Sequence, residues 1–376
     1  METIFWVCLL LGLYPYLIYP LLAWIAARVV AYQVVRGDAK PPVSILIAAY
    51  NEAAHIEATI RNKLQQDYQG TLEVLVASDG SCDGTDQVVA SVAATDPRVR
   101  LIRQENRQGK TAALNRLVGL SVGEIIVFSD ANSLYRLDAV RSLVENFADA
   151  SVGYVTGKMV YVSADGSVIG DGCSAYMRYE NWLRSLETQL GSIVGVDGGV
   201  DAVRRGLYRS MRADQLPDFV LPLEVVRQGH RVIYDPRAVL KEESLNDERA
   251  EFRMRVRVSL RALWALRDER ALLCGGGGVL FAWELWSHKL LRYLSFLPLG
   301  IACVANICMA IFMRQDLPLL IVQACFWTLA MLGLLRVRWA PARLCLYFLL
   351  LNVAAAVALT KFARGQRIVT WQPRLG

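Results

Sequence analysis

The sequence predicts an α/β domain built on a parallel sheet and held between membrane-spanning helices. Of the 376 residues, 54% are hydrophobic and only 20% are charged, and long apolar runs lie at both ends of the chain. Between about residues 41 and 270, short apolar runs instead alternate with polar-faced segments of helical spacing. Such alternation is typical of an α/β fold. Because the whole chain is too apolar for a soluble protein, part of it is expected to lie in lipid.

Four short runs rich in β-branched residues end at polar or glycine-containing turns, and each is predicted to be a buried strand. The runs span 43–50, 72–79, 99–104 and 124–130, and the helical segments between them span 52–66, 85–94 and 110–121. Strands connected through helices form a parallel sheet, in which ligands bind beyond the carboxyl ends of the strands. We therefore expect the functional site at that edge.

The first apolar run, residues 4–27, exceeds the roughly 20 residues needed to cross a bilayer. Because Glu2 is the only charged side chain ahead of it, residues 1–30 are predicted to form an uncleaved anchor rather than a signal peptide. Arg28 and Arg36 follow the run. By the positive-inside rule, the domain at residues 41–270 is then cytosolic.

Residues 291–360 are predicted to contain about three further spans, at 291–313, 317–335 and 344–360. Aromatic and basic residues within 279–290 predict an interfacial helix, for which the alternative is an ordinary first turn of the next span. Three spans after the domain would put the basic tail, 361–376, outside, whereas its basic residues favour the inside. One of these last segments is therefore expected to be re-entrant or interfacial.

The excess of positive charge, +6, is interpreted as membrane-flanking because the basic residues lie beside apolar runs. Nucleic acid is not expected as a partner. The eight cysteines include no Cys-x-x-Cys pair, and five lie inside apolar runs, so neither a disulfide framework nor a zinc site is predicted.

Polar clusters follow three of the predicted strands. Asn51 and Glu52 follow the first, Asp79 ends the second, and Asp130 and Asn132 follow the fourth. A single aspartate after a strand is commonly only a helix cap, but three clusters on one parallel sheet converge on one edge. Their carboxylate and amide oxygens suit a nucleotide diphosphate held through a hard divalent cation.

The segments AAYNE (48–52), ASDGSCDGT (77–85), RQGKTAALN (107–115) and FSDANS (128–133) resemble, in order and spacing, those of family 2 glycosyltransferases. That family has the GT-A fold, which is Rossmann-like. The third segment lacks the upstream glycine of a P-loop. The resemblance implies donor contacts: Ala48, Tyr50 and Glu52 along the nucleobase and ribose, Asp79 at the uracil edge, and Lys110 and Asp130 near the phosphates.

Asp130 and Asn132 stand where the family has its Asp-x-Asp metal motif, which implies Mg²⁺ or Mn²⁺ as the cofactor. Asn132 is a departure, since it offers one neutral oxygen in place of a carboxylate. Metal binding is therefore expected to be weaker than usual, or to depend on Asp130 and the diphosphate itself.

The segment SIVGVDGGVDAVRR (192–205) resembles the glycine-containing segment that faces the acceptor in this family, which implies that role for Gly198 and Gly199. A plain hairpin turn is the alternative. Residues 216–239 resemble the stretch in which an acidic residue begins a helix, so Asp218 is the candidate general base. Pro217 replaces the usual glutamate, and a simple helix cap is the alternative for Asp218.

An arginine-rich helix at 251–266 lies where processive members, such as hyaluronan, chitin and cellulose synthases, carry Gln-x-x-Arg-Trp. Only the arginine fits, as Arg257, which would face the acceptor. Without the tryptophan there is no aromatic surface on which an acceptor sugar could stack. Addition of one or a few sugars is therefore favoured over processive synthesis.

Together these features predict a membrane-bound inverting transferase, of the hexosyl or N-acetylhexosaminyl type, that uses a nucleotide-sugar donor, expected to be a UDP-sugar. The acceptor would be a glycan or a lipid-linked molecule at a bacterial inner membrane, in exopolysaccharide or glycolipid synthesis alongside other synthesis or secretion subunits. Asn132 and Pro217 support the alternative of a non-catalytic nucleotide-binding subunit or scaffold. A transporter is disfavoured because the predicted spans contain almost no charges.

Overall fold

The computed structural model describes residues 1–162, 173–243, 248–313, 317–337 and 339–368. Its centre is one sheet of eight strands in the order β3-β2-β1-β4-β7-β6-β8-β5. The strands are β1 (Val43–Ala49), β2 (Leu72–Asp79), β3 (Val99–Gln104), β4 (Ile125–Asp130), β5 (Leu134–Tyr135), β6 (Val152–Val162), β7 (Asp201–Arg204) and β8 (Arg231–Glu243).

Strands β1 to β4 are parallel neighbours, which confirms the predicted α/β class. Their bounds fall within one residue of the predicted runs. Chain order reverses at β1, which pairs with β2 on one side and β4 on the other, so a crevice opens beyond the ends of β1 and β4. In that register Ala48 lies beside both Ala77 and Asp130.

Apolar clusters fill both faces of this sheet, and helices cover them. The helices of the sheet domain are α3 (Ile56–Leu64), α4 (Thr85–Thr95), α5 (Lys110–Leu120), α6 (Ala139–Val144), α7 (Cys173–Leu190), α8 (Pro217–Arg227), α9 (Glu248–Asp268) and α10 (Arg270–Leu273); α1 and α2 precede them and are described below.

Helix α3 begins four residues later than the predicted segment at 52–66, because the chain after β1 first bonds to the chain after β2. Asn51, at φ 54°, donates its N–H to the Ser81 hydroxyl (3.1 Å) and accepts the Cys82 N–H on its side-chain oxygen (2.9 Å). The Glu52 N–H donates to the Thr85 hydroxyl (2.9 Å). The two loops at the sheet edge are thus fixed to each other.

Apolar helices occupy both ends of the chain. They are α1 (Glu2–Leu13) and α2 (Tyr19–Val30), joined by a π-helical turn (Tyr14–Ile18); α11 (Val279–Glu284), a second π-helical turn (Leu285–Leu290) and α12 (Leu291–Leu294); and α13 (Phe296–Cys308), α14 (Leu317–Leu334) and α15 (Ala340–Ala363). Among the described residues, Glu2–Val30, α14 and α15 are long and apolar enough to cross a membrane. A fourth candidate is Val279–Leu294 followed by Phe296–Phe312, which meet at a bend of 53°.

Helix α15 runs along α9 of the sheet domain. The Arg255 guanidinium donates to the Tyr347 hydroxyl (2.7 Å), and Ala358 packs against Leu260 and Leu263. Beyond the helix, the Trp264 indole N–H donates to the Gln366 carbonyl (2.8 Å). The carboxyl end of α15 therefore lies against the sheet domain. Residues 369–376 of the predicted tail are outside the described residues.

Candidate active site

A cavity of about 380 Å³ opens at the ends of β1 and β4 and reaches the apolar helices. The predicted site residues that line it are Ala48, Glu52, Lys110, Asp130, Asn132, Asp218 and Arg257. They come from the sheet edge, from the first turns of α5 and α8, and from α9. The fold therefore brings together residues that are up to 209 positions apart in the sequence.

A lysine between two carboxylates forms the centre of this cavity. The Lys110 ammonium donates to Asp130 Oδ1 at 2.7 Å and lies 3.8 Å from Asp218 Oδ2. Burial acts to lower the pKa of Lys110, but the charges of Asp130 and Asp218 outweigh it and raise that pKa. Burial, with the charge of Asp130, raises the pKa of Asp218, and Lys110 partly opposes this shift. The side chain of Asp218 is still 29% exposed, so a ligand in the cavity can reach it.

Asp218 is held by the segment that precedes α8. Pro217 occupies the start of that helix, where a proline costs no hydrogen bond and its fixed φ is already helical. The Arg261 guanidinium donates to the carbonyl of Asp214 (3.1 Å), and the Thr111 hydroxyl donates to the carbonyl of Gln215 (2.9 Å). These contacts tie α8 to α9 and α5, and so fix Asp218 beside Lys110.

The turn before β7 needs glycine at two adjacent positions. Gly198 and Gly199 have φ of +77° and +81°, a region that other residues rarely adopt. A Cβ on Gly198 would lie 2.8 Å from the Asp218 carboxyl carbon, and one on Gly199 would lie 3.3 Å from Asp130 Oδ2. These glycines thus let the backbone approach both carboxylates.

Tyr50 and Asp79 lie at the same sheet edge but do not line the cavity. Asp79 is fully buried and accepts the N–H groups of Gln108 (2.7 Å) and Gly109 (2.8 Å), so it fixes the turn that begins α5. The Arg107 guanidinium lies 3.7 Å from the centre of the Tyr50 ring. The nucleobase contacts assigned to these side chains remain predictions.

The far end of the cavity contains charged residues that sequence reasoning did not assign to the site. Arg184 of α7 pairs with Asp197 (2.6 Å), and Glu180, Lys289 and Arg292 lie further toward the apolar helices. From sequence, residues 279–290 are interpreted as a headgroup-level helix. The available signal was the presence of two cations, Lys289 and Arg292, in a segment that also contains several large apolar side chains.

Asp201 is a further buried acid, at the first position of β7 and 1% exposed. Neither of its carboxyl oxygens has a well-formed hydrogen bond to the described residues. Burial and the charge of Asp218 raise its pKa from 3.8 to about 8. The folded protein therefore holds this proton at neutral pH, whereas the unfolded chain releases it.

We expect Asp201→Asn to stabilise the protein increasingly as pH rises from about 4 to about 8. Above about pH 4 the unfolded wild-type chain releases the Asp201 proton whereas the folded protein keeps it, so the wild type loses stability as pH rises. The asparagine variant avoids this loss, which amounts to at most about 5 kcal/mol of unfolding free energy at pH 8. Thermal unfolding of the detergent-solubilised protein across this range is the measurement. Asp138→Asn serves as a control of opposite sign, because bonding to Arg136 lowers the Asp138 pKa. A pH-independent difference for Asp201→Asn would contradict the assignment.

Comparison with known proteins identifies the sheet domain. Residues 44–205 match the family model described as glycosyl transferase family 2. The beta-monoglucosyldiacylglycerol synthase of Trichormus variabilis is 32% identical over 199 residues, which cover 52% of this chain and 42% of that protein. The poly-beta-1,6-N-acetyl-D-glucosamine synthase of Staphylococcus aureus is 25% identical over 203 residues, covering 52% and 48%. The chain thus matches about half the length of these curated relatives.

The fold is also that of a solved structure, the mannosyltransferase PcManGT from Pyrobaculum calidifontis in complex with GDP-Man and Mn²⁺. The TM-score is 0.76 at 24% identity, and the superposition covers 97% of this chain and 99% of that one. This likeness extends to the helices at both ends of the chain. The chain therefore contains a glycosyl transferase family 2 domain, and that domain has the GT-A fold.

Proposed function

We propose that the chain is a membrane-bound inverting glycosyltransferase that transfers a sugar from a nucleotide-diphosphate donor to a glycan or lipid-linked acceptor. The observation that carries this proposal is the arrangement of Asp130, Lys110 and Asp218 in a cavity that opens at the family 2 sheet edge and reaches the apolar helices. Such an arrangement combines a cation, oxygen ligands and a base within one cavity.

In this proposal the donor occupies the crevice beyond β1 and β4. Ala48 and Glu52 would contact the nucleoside and Lys110 the diphosphate, since an ammonium stabilises phosphate charge as a point charge. The relatives' names concern glucosyl, N-acetylglucosamine and mannosyl products or donors. We propose a UDP-sugar, with a GDP-sugar as the second donor to be tested.

The site chemistry fits one Mg²⁺ or Mn²⁺ ion. Asp130 and Asn132 would supply a carboxylate and an amide oxygen, which are ligands that these ions prefer. Among the described residues no cluster of three or more acidic, histidine or cysteine side chains could hold a metal. The remaining ligands would then come from the donor diphosphate and water, and the bound ion would neutralise charge on the leaving group.

The reaction follows from Asp218. An acceptor hydroxyl oxygen attacks the anomeric carbon from the face opposite the diphosphate, and the bond from that carbon to the diphosphate oxygen breaks. The electron pair leaves with the nucleotide diphosphate, and Asp218 takes the hydroxyl proton. Lys110 stabilises charge on the departing group, and one displacement inverts the anomeric centre.

A membrane arrangement follows from the direction of the helices. Phe5 packs near Met309, and a Cβ on Gly12 would touch Leu299, so the first span and α13 are antiparallel. Helix α14 returns beside α13, where the Asn306 amide donates to Gln323 (2.8 Å). We propose that these three cross the bilayer and that α15, lying along α9, stays at the interface. Both the sheet domain and residues 364–368 are then cytosolic, which agrees with the positive-inside rule.

The test is release of nucleotide diphosphate by the purified, detergent-solubilised protein, given Mn²⁺ or Mg²⁺, membrane lipids and a panel of UDP-, GDP- and TDP-sugars. Metal-dependent release with one donor, together with a glycosylated lipid or glycan product, is the expected result. Tight nucleotide binding without turnover of any donor would support the non-catalytic subunit instead.

Gly198→Ala should lower turnover by about tenfold to a hundredfold, because displacement of a catalytic group by about 1 Å has effects of this size. The new Cβ would lie 2.8 Å from the Asp218 carboxyl carbon, at a φ that alanine disfavours. Gly206→Ala is the matched control, since no atom lies within 4 Å of the Cβ it would add. Steady-state kinetics of both variants are the measurement, and equal turnover would contradict the close approach of this turn to Asp218.

A further inference from the structure

Two cations lie at the far end of the cavity without a full set of partners. Lys289 makes no hydrogen bond or ion pair with any described residue, and its ammonium lies 5.9 Å from the centre of the Phe219 ring. Arg292 pairs through Nη1 with Glu180, but its buried Nε and Nη2 atoms have no partner among the described residues.

Lys289 lies next to two segments that flank Asp218. Its Nζ atom lies over Gly195, where an added Cβ would collide with it, and Gly195 belongs to the turn that carries Gly198 against Asp218. Its aromatic neighbour, Phe219, directly follows Asp218. A group bound by Lys289 would therefore share the cavity with an acceptor hydroxyl at Asp218.

The nearby carboxylates of Glu180, Glu187 and Asp197 already bond to other side chains. Glu180 accepts from Arg292 and contacts His288 Nε2 (3.1 Å), while Glu187 contacts His288 Nδ1 and accepts from the Tyr19 hydroxyl (2.7 Å). Asp197 is paired with Arg184. Neither Glu180 nor Glu187 forms an ion pair with Lys289, although the charges of both still act on its ammonium.

Arg257 adds a third cation to the same cavity. It makes no hydrogen bond or ion pair with the described part of the chain, and burial lowers its pKa without an opposing carboxylate. A cation that is partly buried and unpaired costs free energy. Such a cost is expected where an anionic ligand offsets it.

The cavity continues from these cations to apolar helices. Tyr16 of the first span, Tyr293 of α12, and Leu351 and Ala355 of α15 line it there. A ligand placed in this part of the cavity would meet charge at the catalytic end and apolar side chains at the other. That combination suits a lipid whose phosphate lies next to the reacting group.

Resting on the proposed function, we propose that Lys289 and Arg292, with Arg257, bind a phosphate or diphosphate carried by a lipid-linked acceptor. The anion would orient the acceptor so that its hydroxyl reaches Asp218. This selects an anionic lipid-linked acceptor over a neutral diacylglycerol or a free glycan. The lipid tail would leave the cavity beside α15.

The probe is farnesyl phosphate, with farnesol as its uncharged counterpart, and binding is measured on the full-length, detergent-solubilised protein in EDTA. Wild-type protein should bind the phosphate at least about tenfold more tightly than the alcohol, and Lys289→Met should lose that difference. Lys241→Met, at an exposed lysine on β8, should bind like wild type. Arg257→Gln provides a second variant, and its thermal midpoint should not fall because it removes an unpaired cation.

Several results would overturn the proposal. Equal affinity for farnesol and farnesyl phosphate would show that the phosphate charge does not contribute to binding. Full retention of farnesyl phosphate binding in both Lys289→Met and Arg257→Gln would show that these cations do not bind it. Inorganic phosphate bound as tightly as farnesyl phosphate would indicate a site for a free anion. Displacement of farnesyl phosphate by UDP or GDP with Mn²⁺ would assign the cations to the donor. Donor turnover, measured separately, reports on the proposed function and distinguishes its failure from failure of the acceptor site.

Discussion

Asp218→Asn should slow sugar transfer by about 10²- to 10⁴-fold, the range in which a positioned general base acts. The amide has nearly the shape of the carboxylate but cannot take the acceptor proton. Asp218 is suited to that task because burial raises its pKa while Lys110, 3.8 Å away, favours the charged form. Initial rates of nucleotide release with the natural acceptor would measure the loss.

Nucleotide affinity should change far less in this variant, because in the proposed reaction Asp218 contacts the acceptor hydroxyl and not the nucleotide. Asp268→Asn is a suitable control, since Asp268 is a partly exposed aspartate paired with Arg212 outside the cavity. Wild-type turnover by Asp218→Asn would exclude this residue as the base. The alternative of a simple helix cap is wrong, because the cap position of α8 is Leu216 and no side chain bonds to the free N–H groups there.

Asp130→Asn should reduce metal-dependent turnover by about a hundredfold or more, since removing one charge-stabilising group in comparable sites costs about 10² to 10³. With Asn132 unchanged, the predicted metal position would then offer two neutral amides and no carboxylate. Hard divalent ions bind such a pair poorly. The loss should appear as a higher Mn²⁺ concentration for half-maximal rate and as weaker nucleotide binding in Mn²⁺.

The same variant should bind nucleotide without metal at least as well as wild type. Asp130 holds the Lys110 ammonium at 2.7 Å, and removing its charge leaves that ammonium free for the phosphates. Asp138→Asn, eight residues further along at an exposed ion pair with Arg136, is the matched control. An unchanged metal requirement in Asp130→Asn would place the ion elsewhere.

The first half of the sheet could be predicted closely because its local and tertiary signals agree. Strands β1 and β4 are buried on both faces and so appear as apolar runs, whereas the edge strand β3 exposes Arg100 and Arg103. Their parallel order then requires the residues after them to meet at one edge, which is how Glu52, Asp130 and Asn132 could be grouped without a structure. Ala48 and Lys110 were indicated instead by the likeness to a known family.

The second half of the sheet could be predicted less closely from the sequence. Strand β7 has only four residues and pairs antiparallel with both β4 and β6, so its position depends on tertiary pairing rather than on a local pattern. Asp201, at its first residue, gave no sign that it would be buried. The likeness to a known family, rather than residue spacing, indicated Asp218.

The apolar segments show the limit of hydropathy as a signal. Helix α15 has the length and composition of a span, yet one side of it packs on α9. Hydropathy indicates that a helix is shielded from water, but it does not distinguish shielding by lipid from shielding by protein. Lys289 and Arg292 were likewise interpretable as headgroup contacts until the structure placed them on the cavity that Asp218 also lines.

The position of α15 also bears on how a product would travel. In the proposed arrangement this helix stays at the face of one leaflet and forms a wall of the cavity, which Leu351 and Ala355 line. A lipid-linked substrate would enter sideways from that leaflet, and the elongated lipid would return to the same leaflet. Export of the sugar across the bilayer would then require a separate flippase, so glycosylation and translocation would be two events carried out by two proteins.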